Sequence, residues 1–482
     1  MQFCLKFAPV FCAFGNLFTI YQGNSLVATK LTKGNAMLKQ NDKITYTAQS
    51  YSNAETVGGV DGYTVFVGGL IVGETATVKI TYVKKNVAYG DVVQVLTPSP
   101  QRVNPPCRHY GKCGGCALMH MSYPEQLTFK TNKVQTNIKK LGKLDVPVKP
   151  CVPSPLVFGY RNKLSLPVAG KVGNVKIGMY QKGSHLVVNM DDCMLGGEWS
   201  TKLTQIFRDY LNQNNVPPYN EKTFTGLVRH LVARFVDEQL LVTIVSNGEF
   251  TFDLKPLVTE LKKAFPSFGL FVNINTYKNN VILGKITKHV CGIEQIVGEH
   301  FGVKFCLKPD SFFQINNGVK DAIYAKAKQM LNVANTDVLI DCFSGIGILT
   351  NALASEKYQT YAMEIVPSAV DDANKMQILN NSPRVTNICG DVNVELPKLT
   401  SELAGKTITM VVDPPRKGLG ENICNTILQA NVDNIVYISC DSATLARDLA
   451  LLSAKYTINY VEPYDMFPNT DNVETLCYLT RR

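Results

Sequence analysis

The chain has no apolar run approaching the roughly 20 residues of a membrane span. Its best stretch, Phe7 to Ile20, is short and is interrupted by Pro9, Gly15 and Asn16. Charge is sparse as well: 18% of the 482 residues are charged and 45% are hydrophobic, enough for several packed domains without disulfide support. The first 36 residues hold no Asp or Glu, and Lys6 is their only early charge. With no good cleavage site behind it, that stretch reads as neither a domain nor a signal peptide, so residues 1–39 are set apart as an N-terminal extension with initiation expected at Met37. Regular cysteine spacing is missing too. Most of the 14 cysteines stand singly, which argues against a secreted disulfide scaffold and for a reducing cytoplasm.

Residues 40–98 alternate apolar and polar positions between glycine pairs, as in Val57-Gly58-Gly59-Val60 and Val65-Phe66-Val67-Gly68-Gly69, and this pattern predicts a small five-stranded barrel. It resembles the TRAM domain, an OB-like RNA-binding module. With four Lys against five acids in this stretch, RNA binding here rests on that resemblance. Positive charge gathers just beyond it: Arg102, Arg108, Lys112, Lys130, Lys133, Lys139, Lys140, Lys143 and Lys149 face only Glu125 and Asp145, a density that suits phosphate contacts. Within it, Cys107, Cys113 and Cys116 are spaced by five and then two residues among glycines, a pattern for a metal centre. Cys193 is the candidate fourth ligand. The set resembles the [4Fe-4S] site of certain rRNA uridine methyltransferases; zinc with His109 or His120, or an empty reduced site, are the alternatives.

A basic helix is predicted from Pro124 to Leu141, and residues 99–300 read as a central α+β domain with strands at 164–168, 175–180, 240–245 and 281–286 and helices near 200–213 and 254–264. Beyond residue 300 strands and helices alternate, the mark of a doubly wound parallel sheet whose ligands sit at the strand ends. There the loop Asp341-Cys342-Phe343-Ser344-Gly345-Ile346-Gly347 would let backbone approach a cofactor, Glu364 would bind ribose hydroxyls, and Asp391 would lie near an adenine amine. Cys440 ends a predicted strand, and Asp413-Pro414-Pro415-Arg416 follows another. A thiolate added at carbon-6 of uracil activates carbon-5, and a base such as Glu474 must then remove the carbon-5 proton. Arg416 and Asp413 would line the pocket, Arg416 on the uracil edge. No second cysteine stands in a Pro-Cys motif, as a cytosine-C5 enzyme would need; a non-catalytic RNA-binding iron–sulfur protein is the other competitor.

These stretches, with Ser311-Phe312-Phe313-Gln314 and Met466 to Glu474, resemble the RNA uridine-C5 methyltransferase family over about residues 40–482. The resemblance implies a class I methyltransferase domain at 301–482 and S-adenosylmethionine contacts from Gln314, Phe343, Glu364 and Asp413. It implies Cys440 as nucleophile, Glu474 as base, and an RNA substrate, 23S rRNA ahead of tRNA, for a cytoplasmic monomer. Two departures stand out: Asp441-Ser442 follows Cys440 where the family has Asn-Pro, and Asn472 replaces a histidine before Val-Glu. Asp441 would raise the thiol's pKa if it pointed inward.

Overall fold

The computed structural model describes residues 37–482, so the extension expected before residue 37 lies outside the described residues. Among the described residues no helix is long and apolar enough to cross a membrane. The N-terminal sheet has six strands rather than the five expected, in the order Lys43–Thr47, Thr75–Lys84, Val87–Thr97, Tyr63–Gly68, Glu55–Val60, Ser50–Ser52. The added strand is only three residues long, too short for alternation to reveal. Val65, Val67, Ala76, Val78 and Ile80 turn inward. Gly58 permits closure: a Cβ there would stand 2.5 Å from the Thr47 carbonyl, and beside it the Gln49 amide donates to the Val57 carbonyl at 3.0 Å.

The central sheet has seven strands in the order Ile286–Gly292, Ser267–Ile274, Gln239–Ser246, Val228–Val236, Lys163–Lys171, Asn174–Tyr180, Val187–Asn189. Helices Glu198–Gln213 and Lys255–Ala264 bury Phe207 and Leu261 against it. The strand expected over 281–286 is corrected: it starts only at Ile286. Asn275 Nδ2 captures the carbonyls of Val281 and Ile282 at 2.6 and 2.8 Å, and the Gly284 amide donates to Asn273 Oδ1 at 2.7 Å, so side chains hold this backbone outside the ladder.

The C-terminal sheet contains β1 (Val338–Cys342), β2 (Gln359–Glu364), β3 (Val385–Cys389), β4 (Ile408–Val412), β5 (Asn434–Ser439), β6 (Tyr456–Tyr464) and β7 (Glu474–Arg481). They lie in the order β3-β2-β1-β4-β5-β7-β6, with β1 to β5 parallel and β7 antiparallel to both its neighbours. Alternate residues feed two cores, Ile340 and Met410 on one face, Leu339 and Val411 on the other. Helices therefore cover both sides, as an apolar parallel sheet requires.

The basic helix spans Tyr123–Lys140, capped by the Ser122 hydroxyl with Pro124 in its first turn. It docks on the C-terminal domain. Val134 and Ile138 enter that domain's core, Lys130 is fully buried against Asp465, and Lys133 Nζ donates to the Asp471 carbonyl at 2.7 Å. Arg102 grips Glu74 through two 2.6 Å bonds, and Arg108 meets Asp191 at 3.0 Å. The basic density expected to meet phosphate is thus partly internal, and Lys112, Lys139, Lys140, Lys143 and Lys149 remain exposed.

Lys130→Met leaves Asp465 buried without its cation and should cost about 3–5 kcal/mol, read as a lower urea midpoint, with most of the loss recovered when Asp465→Leu is added. A single variant with the wild-type midpoint would show that the pair contributes nothing.

Candidate active site and cysteine centre

After β1 the chain turns through Phe343, Gly345 and Gly347, whose φ values are 67°, 56° and 81°. A phenylalanine in the left-handed region is unusual, and two bonds fix it: the amides of Phe343 and Ser344 donate to the Met363 carbonyl at 3.0 and 3.2 Å. Glu364, ending β2, accepts from the Gly345 amide at 3.1 Å through Oε2 and from the Val366 amide at 2.9 Å through Oε1. Asp391 accepts from the Asn393 amide at 2.9 Å and caps helix Val392–Glu402. Phe343, Gly345, Glu364 and Asp391 line one cleft of about 800 Å³, together with Gln314, Asp413, Arg416, Cys440, Asn472 and Glu474. Every cofactor and catalytic position expected from the sequence therefore faces the same space.

Sequence reasoning passed over Asp341, the acid just before the glycine loop. It is buried in the cleft wall, accepts from Thr350 Oγ1 at 2.6 Å, and leaves Oδ1 with no partner. Burial pushes its carboxyl up to about 7. Asp448 was passed over too. Its carboxylate accepts from the Leu419 and Gly420 amides at 2.7 and 3.2 Å and from the Tyr437 hydroxyl at 2.7 Å, anchoring the loop that carries Asp413 and Arg416. Gly418 (φ 74°) makes room for it, since a Cβ there would lie 2.4 Å from Asp448 Oδ2. The signal for both residues was an acid inside a motif, without the partners that assign its role.

Because β7 runs antiparallel, its first residue lies at the edge where β4 and β5 end. Ser439 pairs with Thr475, which sets Cys440 beside Glu474. Glu474 is 1% exposed, and its Oε1 has no hydrogen-bond partner. Burial, then the nearby Asp413, holds this carboxyl well above the usual range. Asp413, bonded by Gln314 Nε2 at 3.5 Å, is pushed by burial up to about 7. Burial and the carboxylates of Glu474 and Asp413 raise the Cys440 thiol to about 11, with Arg416 opposing them. Asp441 does not point inward: its Oδ1 accepts from the Ala443 and Thr444 amides, both at 2.9 Å, capping helix Ser442–Leu452. The other departure, Asn472, stands on the cleft wall.

The four cysteines expected at a metal centre, Cys107, Cys113, Cys116 and Cys193, line a second cavity of about 20 Å³ with Arg161, Met179 and Met190. The Gly115 amide points at Cys113 Sγ from 3.3 Å. Gly114 lets the loop press on the central sheet, where a Cβ would stand 2.9 Å from the Tyr180 carbonyl. Burial, then the other three thiols, raises Cys116 to about 12. His120 is engaged by the Tyr110 hydroxyl at 2.5 Å and the Leu70 carbonyl at 3.4 Å, and neither it nor His109 lines the cavity. Among the described residues, no three His, Cys, Asp or Glu side chains converge closely enough to hold a single metal ion.

A family model described as tRNA (uracil-5-)-methyltransferase matches residues 122–482, and one described as the TRAM domain matches residues 43–93. A relative from Clostridium tetani described as an uncharacterized RNA methyltransferase is 35% identical, covering 89% of this chain and 94% of that protein. One so described from Halalkalibacterium halodurans is 34% identical over 93% and 99%. The solved structure of Pyrococcus abyssi tRNA (uracil-54, C5)-methyltransferase in complex with S-adenosyl-L-homocysteine is similar at a TM-score of 0.72 and 24% identity, covering 90% of this chain and 99% of that one. The expected architecture, a class I methyltransferase domain behind an N-terminal barrel, is borne out at the level of fold.

With its thiol raised to about 11, Cys440 in the free protein should alkylate with iodoacetamide more slowly at about pH 8 than a simple thiol, and faster as pH climbs. Where the pH is high enough to ionise Glu474, Glu474→Gln removes a negative charge beside the thiol, lowers its pKa and should speed the reaction. Peptide mass mapping reads both; a rate already saturated at neutral pH would contradict them.

Proposed function

Because the chain belongs to the tRNA (uracil-5-)-methyltransferase family, we propose that it forms 5-methyluridine in RNA, with Cys440 as nucleophile and S-adenosylmethionine in the adjoining cleft. One observation carries this reading: a half-buried thiol stands beside a buried carboxyl with an unpartnered oxygen, in the same cleft as a glycine loop. The cleft suits the cofactor. The left-handed turn at Phe343 and Gly345 opens backbone toward it, Glu364 is held where ribose hydroxyls would bind, Asp391 stands on the same wall for the adenine, and Asp341 offers a buried acceptor in want of a donor.

When bound, S-adenosylmethionine supplies an electrophilic methyl group. Sulfur of Cys440 adds to carbon-6 of uracil, and carbon-5 becomes the nucleophile that takes the methyl. Arg416 hydrogen-bonds the uracil edge and favours the thiolate, while Gln314 and Asp413 fix the pocket floor. Glu474 then removes the remaining carbon-5 proton; that electron pair restores the 5,6 double bond, and Cys440 departs as thiolate. A raised pKa makes Glu474 a stronger base than an ordinary carboxylate.

Carbon-5 chemistry needs the base out of its stack, so the uridine sits in a loop or single-stranded segment reached with the barrel's help. We take large-subunit rRNA as the substrate of a cytoplasmic monomer, because a TRAM-like barrel joined to a four-cysteine centre resembles that branch. A tRNA substrate is favoured by a different observation: the Pyrococcus protein similar to nearly the whole chain is a tRNA enzyme. Nucleoside mass spectrometry, mapped by position on both RNAs after incubation with protein and S-adenosylmethionine, decides. The expected result is 5-methyluridine in large-subunit rRNA with the wild type and none with Cys440→Ala. Methylation confined to tRNA would move the substrate, and none in either RNA would refute the reading.

The cysteine centre is proposed to hold a [4Fe-4S] cluster. Zinc needs four ligands about 2.3 Å from one point, whereas a cluster takes one thiolate per iron, so its sulfurs stand farther apart. Four thiols lining one cavity, with the Gly115 amide pointed at Cys113 Sγ, are what supports this reading. When bound, the cluster would tie residues 107–116 to Cys193. Anaerobically purified protein should be brown with iron and sulfide in equal amounts, and Cys113→Ser should lose the colour. A colourless preparation binding stoichiometric zinc would overturn this assignment.

A further inference from the structure

The loop between β6 and β7 delivers Glu474, yet most of what holds it lies outside the C-terminal sheet. Lys130 binds Asp465 and donates to the Phe467 carbonyl at 2.9 Å. The Tyr160 hydroxyl donates to the Pro468 carbonyl at 3.1 Å, and its neighbour Arg161 lines the cysteine cavity. Asn469 is the focus. It is 1% exposed, sits at φ 68°, and has a partner for every polar group it owns. Its carbonyl accepts from the amides of Ala117 and Leu118, both at 3.0 Å, directly after Cys116. Its amide donates to Gln126 Oε1 at 2.9 Å, its Oδ1 accepts from Gln126 Nε2 at 3.3 Å, and its Nδ2 donates to the Val157 carbonyl at 2.9 Å.

From this convergence we infer that Asn469 is a positioning residue through which the cysteine-bearing segment sets the place of Glu474. The inference rests on the reading of Glu474 as base. Asn469 does not itself line the cleft, but Phe467 before it and Asn472 and Glu474 after it do. A buried residue held on the far side from three chain segments fixes where the following turn must begin. Asn472 N continues that path by donating to Thr470 Oγ1 at 3.3 Å. The step most exposed to loosening is the last one, in which Glu474 takes the carbon-5 proton, the C–H electrons re-form the double bond and the Cys440 sulfur leaves carbon-6. Methyl transfer depends on Cys440, which follows strand β5 and precedes helix Ser442–Leu452, and none of the Asn469 side-chain bonds reaches either element. Loss of the latch should therefore leave methylated RNA attached to the protein.

The test compares full-length wild type, Asn469→Gly, Gln126→Met, Glu474→Gln and Cys440→Ala on the RNA that the wild type methylates. Glycine tolerates the left-handed backbone and keeps all three main-chain bonds, so Asn469→Gly removes only the side chain's bonds to Gln126 and Val157. Gln126→Met removes the shared side-chain contact from the other side and, in addition, the acceptor of the Asn469 amide, while leaving the Val157 bond in place. Both variants should lower kcat by about tenfold to a hundredfold with KM for RNA unchanged. Both should also accumulate a denaturant-stable protein–RNA adduct, as Glu474→Gln does and Cys440→Ala does not, and amides at 466–473 should exchange faster with deuterium. Asn469→Gly and Gln126→Met turning over at the wild-type rate without adduct, or raising KM alone, would overturn the positioning role while leaving the base in place. If the wild type makes no 5-methyluridine and Glu474→Gln traps nothing, the reading beneath it fails too.

Discussion

One reversal of strand direction governs the active site. Five parallel strands can bring only their C-terminal ends to the ligand edge, and β7, inserted antiparallel between β5 and β6, brings an N-terminal end to it. Glu474 is therefore the first residue of a strand whose following five positions are buried, so the ladder from Thr475 onward holds its downstream side and leaves the preceding turn to set its approach. The thiol's position follows from the same register, because Cys440 is the residue after the Ser439–Thr475 pair. The proposed proton acceptor and the proposed nucleophile thus reach one another through backbone geometry, with no hydrogen bond between them required.

That geometry concentrates acid. Asp341, Glu364, Asp391, Asp413 and Glu474 line the cleft, and Arg416 and Lys417 are the cations on its wall. Asp341, Asp413 and Glu474 are held above their usual pKa by burial, so without a ligand the cleft favours protons. A ligand carrying a positive sulfonium relieves the same repulsion. A dinucleotide would bring a diphosphate into this field instead and would be repelled, which separates this cleft from nicotinamide-binding relatives of the same topology. The cofactor's charge would also favour the ionised form of Glu474, matching base strength to occupancy.

Local pattern made the C-terminal domain legible. Alternation of strands and helices and the glycine turn marked the doubly wound sheet, and the motif stretches named most of the side chains that share the cleft. What escaped was whatever depends on a distant partner. Lys130 reads as a surface cation until Asp465, far along the chain, buries it. Val281 to Ile286 reads as a strand until Asn275 takes its carbonyls. Asp441 reads as a threat to the thiol because sequence shows adjacency and not direction; its carboxylate faces the amides of its own helix. Asp448 and Asn469 carry no local signal of their roles, since each is defined by groups drawn from several segments.

The chain's path explains why the central domain cannot behave as a loosely tethered module. Docked through Tyr123–Lys140, the chain lays residues 149–152 along the edge of β6, where the amides of Lys149 and Val152 donate to the carbonyls of Val461 and Pro463, both at 2.9 Å. That segment covers an otherwise open sheet edge. The chain then enters the central sheet and returns through the hairpin Ile296–His300 and Val303–Leu307, so that domain is anchored on both flanks. At its root, Asn162 Nδ2 donates to the Gln314 carbonyl at 2.9 Å, and Arg234, fully buried, is bonded to the Ser311 carbonyl. Gln314 is therefore tied to the central domain, as we propose that Glu474 is to the cysteine segment. Both ends of the cleft depend on groups outside the Rossmann-like domain, and a methyltransferase domain cut away from its neighbours would keep its strands but lose the supports that aim them.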